Sequence, residues 1–439
     1  MPPDKPNDLS AFWLPFTPNR DFKSAPRMLA GAEGMYFKSG DGRMLLDACS
    51  GLWCVNAGHG RKQIADAIAK AAHALDFAPT FQFAHSQAFT LAERIAALAP
   101  AGLDHVFFVN SGSEACDAAL KIARAYWQKK GHGGRFRLIG RDKGYHGVTF
   151  AGISVGGIGN NRKPYGPLLP GTDDHLPLPY DAAMRFTKGE PERGADYADA
   201  LDAVVARHGA ETIAAVIVEP MSGSAGVFAP PSGYLKRLRA ACDRHGILLI
   251  FDEVITGFGR LGAGFAAERY SVAPDMITFA KGVTNGAVPM GGVIVSRAIH
   301  EAFMSGPAHG IELFHGHTYS AHPLACAAGL ATLDLYRDED LFARAKTLEP
   351  VFADAVHALR SEPRIVDIRS LGLAAGIDIE PDPKSPGWRG YEAMKRCFSD
   401  ENMVIRVSGD TIALAPALIA SDSDISRMVD GVRRALQRL

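Results

Sequence analysis

The chain has no C-x-x-C pair, no apolar stretch long enough to span a membrane and almost no net charge, and each absence removes a class of function. Six cysteines in 439 residues (Cys49, Cys54, Cys116, Cys242, Cys326 and Cys397) are scattered, and a chain of this size needs no disulfide framework, so they read as reduced thiols. No run approaches the ~18 apolar residues of a membrane span. The opening MPPDKPNDLSAFWLPF sets charges and prolines where a signal peptide needs an unbroken apolar core, so a cytoplasmic location is expected. With 47 Lys+Arg against 48 Asp+Glu and a net charge of -1, nothing electrostatic favours nucleic acid or an anionic membrane as partner. The phosphate loop G-x-x-x-x-G-K-[ST], internal repeats and low-complexity tracts are also missing. What remains is an ordinary globular composition, 47% hydrophobic and 22% charged, with small molecules as the default ligands.

From residue 61 onward, helical patterns alternate with short buried-strand runs. RKQIADAIAKAAHALD and SEACDAALKIARAYW have apolar residues at helical spacing, while HVFFVN, IAAVIVE, ILLIFDE, DMITFA and MGGVIVS are continuous apolar runs. Such alternation predicts an α/β fold with a mainly parallel sheet covered by helices on both faces. Residues 61–325 are therefore expected to form the larger, ligand-binding domain. A smaller α+β unit is expected from both ends of the chain. Residues 1–60 contribute GMYFKSGDGRMLLDACSG, with a hairpin-like SGDGR, and residues 326–439 contribute RIVDIRSLGLAAGIDI, MVIRVSGDTIALAPAL and a final helix.

Two apolar runs end on charge. ILLIFDE closes on Asp252 and Glu253, and DMITFAK closes on Lys281. Either could simply mark the return to water. In an open parallel sheet, however, ligands bind beyond the carboxyl ends of the strands, and a lysine there can form a Schiff base with a ligand carbonyl. One crossover-sized segment separates the two runs. Neighbouring strands would therefore open Asp252 and Lys281 into one cleft.

A third element, FFVNSGSEACDAALKIA, runs from strand to helix through Ser111, Gly112 and Ser113. A helix N-terminus with small residues accepts a phosphate, although a serine there can also act only as a cap. GYHGVTF supplies Tyr145 and His146 between glycines, where a ring can lie against a planar ligand, and VIVEPMSG puts Glu219 beyond another buried run. An amine, a carboxylate, a phosphate cup and an aromatic face are together the requirements of pyridoxal phosphate.

The segment LIFDEVITGFGRLGAGFAAERYSVAPDMITFAKGVTNGAVPMGGV resembles the signature of class III aminotransferases, the ω-aminotransferases among the fold-type I pyridoxal-phosphate enzymes, and the likeness extends over nearly the whole chain. LSAFWLPFTPNRDFK, GLWCVNAGHGR, NSGSE, GYHGVTFAGISVGGIGNNR, FHGHTYSAHPLACAA and RVSGDTIALAPAL most resemble the β-alanine:pyruvate and ω-amino acid:pyruvate transaminases. The resemblance implies a large domain with a seven-stranded sheet, pyridoxal phosphate as cofactor and a homodimer or homotetramer with the active site between subunits. It implies Lys281 as the Schiff-base lysine, Asp252 as partner of the pyridinium nitrogen, and Val254 and Tyr145 on the two faces of the ring. Ser111, Gly112 and Ser113 would hold the phosphate with Thr318 of the other subunit. Leu52 and Trp53, with Phe16 from the partner, would shape the substrate pocket, and Arg406 would receive the substrate carboxylate.

The same cofactor also serves decarboxylases and aminomutases, and the amino donor stays open among β-alanine, taurine, γ-aminobutyrate, polyamines and simple aromatic amines. A catalytically dead cofactor-binding module is a further alternative, against which an intact Lys281, Asp252 and Thr318 speak. His315, His317 and His322 form H-x-H-x4-H, but no Asp, Glu or Cys accompanies them, and Gly316 and Pro323 point to a turn before a helix, so no metal is expected.

Overall fold

The structure, a computed structural model, describes residues 7–439. Its strands, in chain order, are β1 (Leu29–Glu33), β2 (Tyr36–Ser39), β3 (Met44–Asp47), β4 (Leu103–Val109), β5 (Arg137–Arg141), β6 (His175–Leu176), β7 (Ile213–Val218), β8 (Leu248–Asp252), β9 (Met276–Phe279) and β10 (Gly291–Ser296). Then come β11 (Ile365–Ser370), β12 (Ala375–Ile379), β13 (Met403–Val404), β14 (Arg406–Ser408) and β15 (Thr411–Leu414).

The central sheet has seven strands in the order β4-β10-β9-β8-β7-β5-β6. β6, β5, β7, β8 and β9 are mutually parallel, and β10 alone runs against β9 and β4. This is the mainly parallel seven-stranded sheet of the expected α/β fold. Every residue of β7, β8 and β9 is buried, as a sheet covered on both faces requires. The helix Gly112–Lys129 packs across β9 and β10, and the alanines on its buried face let it approach closely.

Two four-stranded sheets complete the fold, β1-β2-β3-β13 and β11-β12-β15-β14. In the first, Met403 and Val404 pair in parallel with Leu46 and Asp47, so the two ends of the chain share one sheet. The hairpin at SGDGR joins β2 to β3. The helix Pro323–Asp338 runs through the boundary expected between residues 325 and 326.

The sheet's direction decides where chemistry gathers. Because β4, β5, β7, β8 and β9 all point the same way, Ser111–Ser113, Tyr145–Gly147, Glu219, Asp252 and Lys281 all emerge from one edge. All six cysteines are unpaired. Among the described residues, no helix is long and apolar enough to cross a membrane.

Candidate active site

One cleft at that edge is bordered by Gly112, Ser113, Tyr145, Glu219, Asp252, Val254 and Lys281, and also by Cys116, Gly147, Met221, Ser224 and Ile255. β8 and β9 are direct neighbours, with Asp252 opposite Thr278, so the carboxylate and the amine are brought together by adjacent parallel strands.

Asp252 is 5% exposed and accepts four hydrogen bonds. Oδ2 receives His146 Nδ1 at 2.8 Å and Cys116 Sγ at 3.2 Å, while Oδ1 receives Thr278 Oγ1 and the Val254 N–H, both at 3.2 Å. Burial works to raise its pKa, but the bonds from His146, Cys116 and Val254 outweigh burial and hold the carboxyl below its ordinary range. An ionised carboxylate only accepts, so His146 carries its proton on Nδ1.

Lys281 follows β9 in a left-handed conformation (φ 50°), uncommon for a residue with a side chain, which turns it out of the strand direction. Burial lowers its pKa, and Arg406 adds to that, while Cys54, Asp252 and Glu219 oppose it. Tyr145 is half-buried, and burial raises its pKa against the opposing effect of Arg406. Glu219 accepts the Tyr145 N–H at 3.2 Å, and burial pushes its pKa up to about 7 against the pull of His146 and Arg141. Glu253, just past Asp252, turns away to bond the N–H groups of Ala266 and Ala267.

At the helix N-terminus, the Ser111 hydroxyl accepts the Glu114 N–H at 3.2 Å, and Ser111 does not border the cleft; its side chain is the helix cap. Gly112 and Ser113 do border it, on the first turn, where N–H groups lack helical acceptors. Two glycines keep this corner open. A Cβ on Gly112 would lie 2.8 Å from Val254 Cγ1, and one on Gly147 (φ 91°) would lie 2.4 Å from Ser113 Oγ.

The remaining expected residues lie outside the cleft. Phe16, Leu52 and Arg406 border a neighbouring groove of the same chain, so Phe16 reaches it without a partner. Trp53 is buried and packs with Met221 and Ile255, which border the cleft. Thr318 is exposed on the surface segment before helix Pro323–Asp338. Of the histidines of H-x-H-x4-H, His315 Nδ1 meets Lys121 Nζ at 2.9 Å, and His322 Nδ1 accepts the Leu324 N–H. Cys116 and Thr278 were not singled out from the sequence. A polar residue inside the apolar run MITF, and a cysteine one helical turn after Gly112, are the signals that could have found them.

The aminotransferase class-III family matches residues 19–436. The chain belongs to the class III aminotransferases. An omega-aminotransferase of Caulobacter vibrioides is 58% identical, over 99% of both chains. The beta-alanine–pyruvate aminotransferase of Pseudomonas aeruginosa is 48% identical, over 98% of this chain and 96% of the relative. Among solved structures, an amine transaminase from an uncultivated Pseudomonas species in its pyridoxal-phosphate-bound form superposes with a TM-score of 0.89 at 35% identity, covering 98% of each chain.

Aminotransferases of this class depend on pyridoxal phosphate, and the cleft fits that cofactor. It offers an amine, a buried ionised carboxylate, a helix N-terminus cleared by glycines and an aromatic side wall, all along one edge of the sheet.

The pKa of Glu219 generates a test. The folded aminotransferase keeps a proton on Glu219 between about pH 4.5 and 7 that the unfolded chain has released. Stability from this residue is therefore full below that window and falls as pH rises through it. Glu219→Gln should lose about 1–3 kcal/mol less than the parent between pH 5 and 8 in urea unfolding of the cofactor-free protein. Equal losses in both proteins would refute the assignment.

Proposed function

We propose that the enzyme transfers an amino group from an ω-amino acid such as β-alanine, or from a simple amine, to pyruvate, releasing a keto or aldehyde product and L-alanine. The observation that carries this reading is the juxtaposition of Lys281 and Asp252 at the ends of adjacent strands in one cleft. The omega-aminotransferase and beta-alanine–pyruvate relatives support the choice of donor and acceptor.

When bound, pyridoxal phosphate supplies an electron sink that takes up the pair left when the amine-bearing carbon loses its proton. The chain's own residues do the rest. Lys281 Nζ would hold the cofactor and, freed by a donor amine, would serve as the base that moves the proton at the amine-bearing carbon. Burial, by lowering its pKa, favours the uncharged amine that a base requires. Asp252, with His146 bonded behind it, would face the ring nitrogen and keep a proton there. Tyr145 and Val254, which border the cleft, would take the two ring faces, and Glu219, bonded to the Tyr145 N–H, would close the side next to it. Gly112 and Ser113 would receive the phosphate at the helix N-terminus, with Ser111 fixing that helix as its cap. Phe16, Leu52 and Trp53 shape the space for the donor.

Arg406 receives the pyruvate carboxylate. The site must accept a donor whose amine is remote from any carboxylate and then an acceptor whose carbonyl adjoins one. A long guanidinium at the edge of the groove serves both by pairing with pyruvate and withdrawing from an apolar donor. Arg406→Ala should cost about 1.5–3 kcal/mol in kcat/KM for pyruvate, roughly ten- to a hundredfold, and much less with a carboxylate-free amine. Equal losses in both half-reactions, followed by stopped-flow absorbance, would overturn this role.

The working unit is a homodimer or a larger assembly of dimers in which Thr318 of one subunit completes the phosphate site of the other. Thr318 lies among exposed aromatic side chains, Phe314 and Tyr319 in its own segment and Phe81 packed beside Gly316, a surface costly to leave in water. Mixing Lys281→Ala with Thr318→Ala subunits should restore activity in the hybrid through one sound site. Demonstrated hybrids without activity would exclude a shared site.

A further inference from the structure

His146 has a second nitrogen that the reaction leaves unexplained. Its side chain is fully buried, Nδ1 is committed to Asp252, and Nε2 has no partner among the described residues. Arg162, on the short helix Gly159–Arg162, has the same defect: its Nε is buried without a partner, while its Nη1 lies 3.3 Å from His175 Nε2. Both residues border one small void behind the cofactor cleft, with Asn161 and the glycines 144, 147, 152 and 156. The glycines keep it open. A Cβ on Gly144 would stand 3.1 Å from His146 Nε2, and one on Gly152 would stand 2.3 Å from the His146 carbonyl oxygen. The void has about 10 Å³ available, room for a single water molecule.

Buried polar atoms left unpaired are costly, and two of them bordering a water-sized void are most simply satisfied by one water. We propose that this void holds a structural water that accepts the Arg162 Nε–H and donates to His146 Nε2, which makes Arg162 a positioning residue for Asp252. A guanidinium can only donate, so it turns the water's hydrogens away from itself and toward His146. Nε2 is thereby kept as an acceptor, and the imidazole is held as the Nδ1–H tautomer that donates to Asp252 Oδ2. Asp252 then faces the cofactor ring as a full carboxylate, not diluted by an imidazolium behind it. This relay rests on the reading of Asp252 as the partner of the ring nitrogen.

A neutron structure of the holoenzyme tests it without any turnover. The expected result is a deuterium on His146 Nδ1, none on Nε2, and a water within hydrogen-bond distance of both Nε2 and Arg162 Nε. A deuterium on Nε2, or a void without water, overturns the relay and leaves the transaminase reading standing. In parallel, Arg162→Met should lower kcat about two- to tenfold with little change in either KM, and the ¹⁵N signals of His146 should lose the pure Nδ1–H pattern. A folded Arg162→Met enzyme with unchanged kcat and unchanged His146 signals would also refute it.

Discussion

Asp252 is a carboxylate buried at the end of a central strand, and the structure around it is arranged to keep it charged. Removing such a group from water costs several kcal/mol unless hydrogen bonds replace the lost solvation. Four donors from four places do so: Thr278 on the neighbouring strand, Cys116 on the covering helix, His146 on the loop after β5, and the N–H of Val254. Each donor fixes the element that carries it. The register of β8 on β9, the depth of helix Gly112–Lys129 and the path of the Tyr145 loop all converge on one pair of oxygens. The same elements then present Lys281, Gly112, Ser113 and Tyr145 to the cleft.

A second buried charge ties this centre to the rest of the chain. Arg260 is fully buried with no carboxylate partner among the described residues, and burial lowers its pKa to about 10, so it stays protonated at neutral pH. It donates to the carbonyls of Leu373 and Pro416, to Ser50 Oγ and to Asn56 Oδ1. Those contacts join the turn carrying Leu52 and Trp53 to segments flanking β12 and β15, and β15 pairs with the strand that starts with Arg406. The turn is strained, with positive φ at Ser50 and Trp53, and such geometry persists only where the surroundings enforce it. Tyr336 adds a bond to the Gly282 carbonyl at 2.6 Å, steadying the backbone next to Lys281.

Asp252 and Lys281 could be read from the sequence because each ends an apolar run with a charge, a pattern tied to the carboxyl ends of parallel strands. The mainly parallel sheet followed from the alternation of runs and helical spacings, while its seven strands were implied by the resemblance to class III aminotransferases. The antiparallel β10 did not, since an apolar run carries no direction. Cys116 and Thr278 stayed hidden because a small residue in a helix or strand looks like core until a carboxylate is known to face it. Ser111 shows the limit of local motifs: the same S-G-S suits a phosphate or a cap, and the Ser111 hydroxyl accepts the Glu114 N–H as a cap while its own O–H stays free to donate. The place of Phe16 beside Leu52 and Arg406 depends on the N-terminal arm folding back, through the bond of Asp21 to Tyr391, a contact between residues 370 positions apart.

The central claim is that Lys281 is the residue that holds the cofactor. Reducing the holoenzyme with borohydride fixes any cofactor–lysine link permanently, and peptide mapping by mass spectrometry then locates it. The account predicts a phosphopyridoxyl group on the peptide containing Lys281 and on no other. A label on a different lysine, or a holoenzyme that takes none, would contradict it.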